Sequence, residues 1–184
     1  MRVIAGSARS INLITPKGLD TRPTTDKYKE TLFNCLQSYI GCSVFVDLFA
    51  GSGAIGIEAL SRGADKAYFV DNSREAYDCI RENLNKTRLS DKAEVYREDV
   101  SFFIKARLKE VPDIIFIDPP FKKHLEKEVI PLLDENGLIG DDTIVVVECD
   151  YDSDFEFLKD FNLEIFKTKE YKTNKHVFIG KSGE

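Results

Sequence analysis

Short apolar runs alternate with helical patterns along this chain, and that alternation leaves few folds open. Val44–Phe49, Ala67–Asp71, Glu94–Arg97, Asp113–Ile117 and Thr143–Glu148 are short and rich in Val, Ile and Phe, as strands are. Helical patterns fall between them at Ala54–Arg62, Arg74–Thr87, Val100–Lys109 and Leu125–Asp134. Strands separated by helices of this length form right-handed βαβ units, hence a parallel sheet with helices on both faces. The near-continuous apolar runs DIIFID and TIVVVE fit strands buried on both sides.

Two regions break the rhythm. Leu163–Tyr171 and His176–Gly180, joined by a Lys172–Lys175 turn, predict an antiparallel pair that closes the sheet. Arg2–Ala5 and Asn12–Thr15 predict a small hairpin, followed by Lys17–Arg22 as loop. A helix then starts at Thr24 or Thr25, with Lys29, Glu30, Leu32, Phe33 and Leu36 at amphipathic spacing. The 184 residues suit one domain, with 1–42 as an appendage to an α/β core of 43–184.

The first core strand runs into Asp47-Leu48-Phe49-Ala50-Gly51-Ser52-Gly53-Ala54-Ile55-Gly56. Gly51, Gly53 and Gly56 fit G-x-G-x-x-G, and Asp71 ends the next strand 20 residues after Gly51. Such glycines permit a tight turn and close backbone approach by a ligand, while the distal carboxylate accepts from ribose hydroxyls. Asp47 beside the turn argues against a dinucleotide pyrophosphate and for S-adenosylmethionine (SAM), whose sulfonium and ammonium a carboxylate attracts. Asp99, after the third strand, is placed either to accept from an adenine amino group or to cap the helix that follows.

Asp118-Pro119-Pro120-Phe121 follows the fourth strand. In a doubly wound sheet the first and fourth strands are neighbours at the switch point, so both motifs face one crevice. The prolines fix the loop's carbonyl directions. The Asp118 carboxylate and a prolyl carbonyl are then suited to accept both hydrogens of a planar NH2 group, with Phe121 stacking on its ring. Methyl transfer from a sulfonium is an in-line displacement, and positioning is the main thing a protein supplies to it.

Composition constrains the rest. The four cysteines (Cys35, Cys42, Cys79, Cys149) form no C-x-x-C pair and, with two histidines, no zinc pattern, so free and mostly buried thiols and no metal are expected. No apolar run approaches the ~18 residues of a membrane span, and Met1–Gly6 lacks a signal-peptide h-region; a cytoplasmic protein is the expectation. The net charge of −6 argues against a nucleic-acid partner only as an average. Residues 1–30 hold six basic and three acidic residues, whereas 134–164 hold 11 acidic residues and one Lys. The basic N-terminal segment is expected to face an anionic partner and the acidic region to face away.

The two motifs resemble those of class I SAM-dependent amino-methyltransferases, whose [D/N]-P-P-[Y/F/W] loop serves exocyclic or amide nitrogens. Thr21-Arg22-Pro23-Thr24-Thr25-Asp26-Lys27-Tyr28-Lys29-Glu30-Thr31-Leu32-Phe33-Asn34, with Arg2-Val3-Ile4-Ala5-Gly6, narrows this to a resemblance to the RsmD family. Those are bacterial methyltransferases acting on a guanine N2 in 16S rRNA of the assembling small subunit. The resemblance implies a Rossmann-like α/β fold, a mostly parallel seven-stranded sheet with an N-terminal hairpin and helix, acting as a monomer. It implies Asp47, Phe49, Gly51 and Gly53 lining SAM, Asp71 on the ribose and Asp99 on the adenine. Asp118 to Phe121 would hold the target amine, with S-adenosylhomocysteine as product. Arg9, Arg22, Thr24 and Lys122 would meet rRNA, with ribosomal proteins as further partners, on a base exposed or flipped out. The family's R-G-R-like cluster is here Arg9-Ser10-Ile11, one cation short. His176 is expected to be structural. Adenine N6 or a protein glutamine amide as acceptor, a non-catalytic nucleotide-binding module, and NAD-dependent oxidoreduction are the competing readings.

Overall fold

The computed structural model describes residues 1–16, 26–120 and 123–183, built on one seven-stranded sheet of order β3-β2-β1-β4-β5-β7-β6. β1 (Val44–Leu48), β2 (Lys66–Val70), β3 (Ala93–Tyr96), β4 (Ile114–Ile117) and β5 (Ile144–Cys149) pair in parallel. β7 (Lys175–Lys181) enters antiparallel between β5 and β6 (Leu163–Glu170). The chain moves outward from β1 to β3 and then returns to pair β4 on the other side of β1. That reversal is the switch point, and it opens a crevice at the strands' carboxyl ends.

Side chains alternate across the strands and build two cores. Phe45, Phe116, Val146 and Phe178 pack with α1 (Asp26–Ile40), α2 (Ala54–Ser61), α3 (Arg74–Thr87) and the N-terminal residues. Val46, Leu48, Ile115, Ile117, Val145 and Val147 pack with α4 (Val100–Ala106) and α5 (Glu126–Glu135) on the opposite face. β4 is buried along its whole length and β5 nearly so, as their unbroken apolar sequences require. The strand and helix expectations agree with these elements to within a few residues at each end. The expected helix start at Thr24 or Thr25 lies outside the described residues. No described helix is long and apolar enough to cross a membrane.

The N-terminal residues form a hairpin-like bend with one antiparallel bridge, Arg2 to Asn12. Its attachment rests on a fully buried carboxylate. Glu58 in α2 accepts from Ile4 N at 2.8 Å, Ala5 N at 3.0 Å and Arg62 Nε at 2.7 Å. It also pairs with Lys29 Nζ of α1 at 3.1 Å, and Lys29 donates in turn to the Arg2 carbonyl. Burial holds the Lys29 ammonium below its ordinary pKa, with Glu58 opposing that shift. The thiols are all free, but only Cys79 and Cys149 are buried; Cys35 is half-buried and Cys42 is exposed, so the expectation of mostly buried thiols holds for two.

Candidate active site

The sheet register brings the two motifs into one row. Leu48 pairs with Val70 and with Ile117, so the next residues, Phe49, Asp71 and Asp118, stand side by side at the carboxyl edge. Ile117 pairs with Val147, which places Glu148 next to Asp118, and Glu148 pairs with His176 of β7.

The glycine turn is held by backbone bonds and two carboxylates. Ala50 N donates to Val70 O at 2.9 Å, and Gly53 N donates to Ala50 O at 2.7 Å. Gly51 and Gly53 adopt φ of 57° and 74°, and Phe49 adopts 66°, a conformation that costs a non-glycine residue about 1–3 kcal/mol. A Cβ on Gly51 would meet nothing within 4 Å, so its backbone faces open space. Gly56 differs: its Cβ would stand 2.4 Å from the Phe69 ring, so its job is close helix–strand packing. Asp71 accepts from Gly51 N and from Ser73 N, each at 2.9 Å. Asp47 Oδ2 accepts from Gly56 N at 3.0 Å, which supplies the cap that Gly53 cannot.

Asp47 is 2% exposed, and its pKa is pushed up to about 7 by burial, with the nearby Asp71 charge adding and the Gly56 bond opposing. Asp118 is half-buried and accepts no hydrogen bond from any described residue. Burial, then the Glu148 and Asp47 carboxylates, raises its pKa well above the ordinary range. The crevice therefore carries acceptors in excess of donors, which suits a ligand bearing N–H groups and positive charge. Asp71 keeps lone pairs beyond its two backbone bonds, and the space above Gly51 is open, so these residues fit SAM.

Asp47, Phe49, Gly51, Gly53, Asp71, Asp118, Pro119 and Pro120 thus converge. Asp99 caps α4, its Oδ1 accepting from Ser101 N at 2.9 Å and Phe102 N at 3.3 Å. Arg9 is exposed in a bend whose neighbours Ser7 and Ala8 bond to Ser61 at the far end of α2, so it stands away from the turn. Arg22, Thr24, Phe121 and Lys122 lie outside the described residues.

Several site residues escaped the sequence reading. Asn83 of α3 donates to Ser52 O and Ile14 O and accepts from Ile14 N, tying the N-terminal bend to the turn. Glu148, Asp150 and Asn174 line the cleft beside Asp118 and Pro119. That corrects the expectation that the acidic 134–164 region faces away, because β5 delivers part of it to the crevice. The signal was a charged residue closing the apolar run TIVVVE.

Comparison with known proteins places this geometry. The family described as Conserved hypothetical protein 95 matches residues 1–180. Ribosomal RNA small subunit methyltransferase D of Escherichia coli (strain K12) is 37% identical over 83% of this chain and 76% of its own length. Its namesake from Haemophilus influenzae (strain ATCC 51907 / DSM 11121 / KW20 / Rd) is 38% identical over 83% and 80%. The solved structure of a hypothetical protein from Thermus thermophilus superposes with a TM-score of 0.82, at 28% identity, covering 98% of this chain and 99% of that one.

Proposed function

We propose, for a chain that belongs to the Conserved hypothetical protein 95 (RsmD) family, that it is a SAM-dependent methyltransferase acting on the exocyclic N2 amine of a guanine in 16S rRNA. The observation that carries this reading is the single row of Asp71, Phe49 and Asp118, which sets the glycine turn beside the Asp-Pro-Pro loop.

SAM, when bound, supplies an electrophilic methyl group on a sulfonium. The Asp71 carboxylate would hold its ribose, Asp99 its adenine amino group through the oxygen not used by α4, and Asp47 would add negative potential beneath the turn. The Asp118 carboxylate and the Pro119 carbonyl accept the two N–H bonds of the target amine and aim its nitrogen lone pair at the electrophile. No strong base is needed, because the proton leaves a nitrogen already made cationic by alkylation. Alignment of this kind is worth ~7–11 kcal/mol.

The substrate is read as small-subunit rRNA from the names of the relatives and the basic N-terminal segment, and assembly particles are the form that the RsmD resemblance implies. The experiment is to incubate the protein with labelled SAM and, in parallel, undermethylated small-subunit particles, free rRNA and DNA, then identify the modified base. N2-methylguanine in particles is expected; a methylated adenine or a labelled protein overturns the reading.

A further inference from the structure

We propose that Glu148 is the specificity-determining residue of this site, its carboxylate accepting the N1–H of the target guanine while Asp118 and Pro119 hold the N2 amine. This rests on the reading of the site as one for a guanine amine. Glu148 follows Val147, the register partner of Ile117, so it and Asp118 stand next to each other on neighbouring strands, about 4.8 Å apart. They lie on one face, and both border the same cleft. A flat ring whose amine is held by Asp118 therefore presents its next edge atom to Glu148.

The Glu148 carboxylate is held by two partners. His176, fully buried, stands with Nε2 3.1 Å from Glu148 Oε2 and with Nδ1 2.9 Å from the Tyr171 hydroxyl. A carboxylate only accepts, so Nε2 carries the proton and Nδ1 accepts from Tyr171. Asn174 Nδ2 donates to Glu148 Oε1. That bond fixes the amide orientation, since a flip would set its oxygen against the carboxylate. Asn174 is 3% exposed, lines the cleft, and its Oδ1 has no hydrogen-bond partner among the described residues. Glu126 Oε1, on the same cleft, is buried and has the ring Nδ1 of His124 at 3.4 Å as its neighbour. A buried acceptor left open, as Asn174 Oδ1 is, calls for a donor. With the Glu148 carboxylate beside it on the cleft, the natural complement is a ligand edge that carries N–H donors.

Guanine offers adjacent donors, N1–H and N2–H2. Adenine and cytosine carry an amine beside a bare ring nitrogen, which would point its lone pair at the Glu148 carboxylate. A glutamine amide would point its carbonyl there. One acceptor next to the amine site thus separates guanine from the other amine-bearing acceptors, and a site built on a substrate N–H rejects analogues without it strongly.

The test uses small-subunit particles reconstituted with either guanosine or 2-aminopurine riboside at the methylated position. 2-Aminopurine keeps the N2 amine and has a lone pair at N1. Wild type should methylate guanosine at least ~100-fold faster. Glu148→Gln, whose amide can donate to N1, should lower the guanosine rate and narrow the ratio to within ~10-fold, with SAM affinity by calorimetry showing that the variant is folded. A Glu148→Gln enzyme that keeps the wild-type ratio overturns this inference alone. Wild type that makes no N2-methylguanine overturns the proposed function and this inference with it. Should Glu148→Gln not fold, Asn174→Ala carries the test, and an unchanged ratio in that variant overturns the proposal.

Discussion

Asp47 Oδ2 accepts the Gly56 amide at 3.0 Å, so the carboxylate in the middle of the site's first strand is fastened to the third glycine of the turn. The same group is buried, and its pKa is lifted to about 7, first by desolvation. A raised carboxyl pKa means that the folded state holds the proton more tightly. The associated stability is fully present below pH ~4 and is lost as pH rises through about 7.

Asp47→Asn keeps an acceptor for Gly56 and removes the charge. Thermal melts from pH 4 to 8 should show it about 2–4 kcal/mol more stable than wild type at pH 8 and close to wild type at pH 4. Its SAM affinity should fall at pH 8, where wild-type Asp47 is charged, and approach wild type at pH 4. A variant less stable than wild type at pH 8 would show that burial does not govern this acid.

Gly56→Ala sets helix propensity, which favours alanine by ~1 kcal/mol, against a methyl group 2.4 Å from the Phe69 ring. Overpacking should win, with a net loss of about 1–3 kcal/mol by denaturant titration.

Glu58→Ala leaves the Lys29 ammonium buried and unpaired and orphans the Ile4 and Ala5 amides. A loss of about 3–5 kcal/mol is expected. Amide exchange at Ile4 and Ala5 should accelerate far more than in β4, because the lesion lies where the N-terminal bend meets α2.

Asp118 and Asp71 should separate chemistry from binding. Asp118→Ala is expected to abolish methyl transfer and leave SAM affinity within a few-fold, whereas Asp118→Asn, retaining an acceptor, keeps measurable turnover. Asp71→Ala should weaken SAM by at least ~10-fold in calorimetry, since it removes the ribose acceptor and also frees Gly51 N. Unchanged turnover in Asp118→Ala would refute its role in holding the amine.

The parallel core, the crevice and the two motifs that meet in it were legible in the order of the residues. These rest on local patterns: apolar runs that only a doubly covered strand can bury, glycines where φ must be positive, and prolines that set a loop. Those constraints act within a few residues and are readable there. The tertiary structure alone decided what each carboxylate does. Asp47 and Asp99 share a residue type, and the structure separates their surroundings: Asp47 is buried under the turn, whereas Asp99 is exposed and caps α4 with one oxygen. Arg9 carries the expected charge, and its place is set by the bonds that tie Ser7 and Ala8 to Ser61 at the far end of α2. Glu148 belongs to the most acidic stretch of the chain, and only the pairing of Ile117 with Val147 reveals that it stands beside Asp118. Register and burial depend on contacts between segments far apart in sequence. Composition records how many charges a chain has, and packing decides which of them face one another.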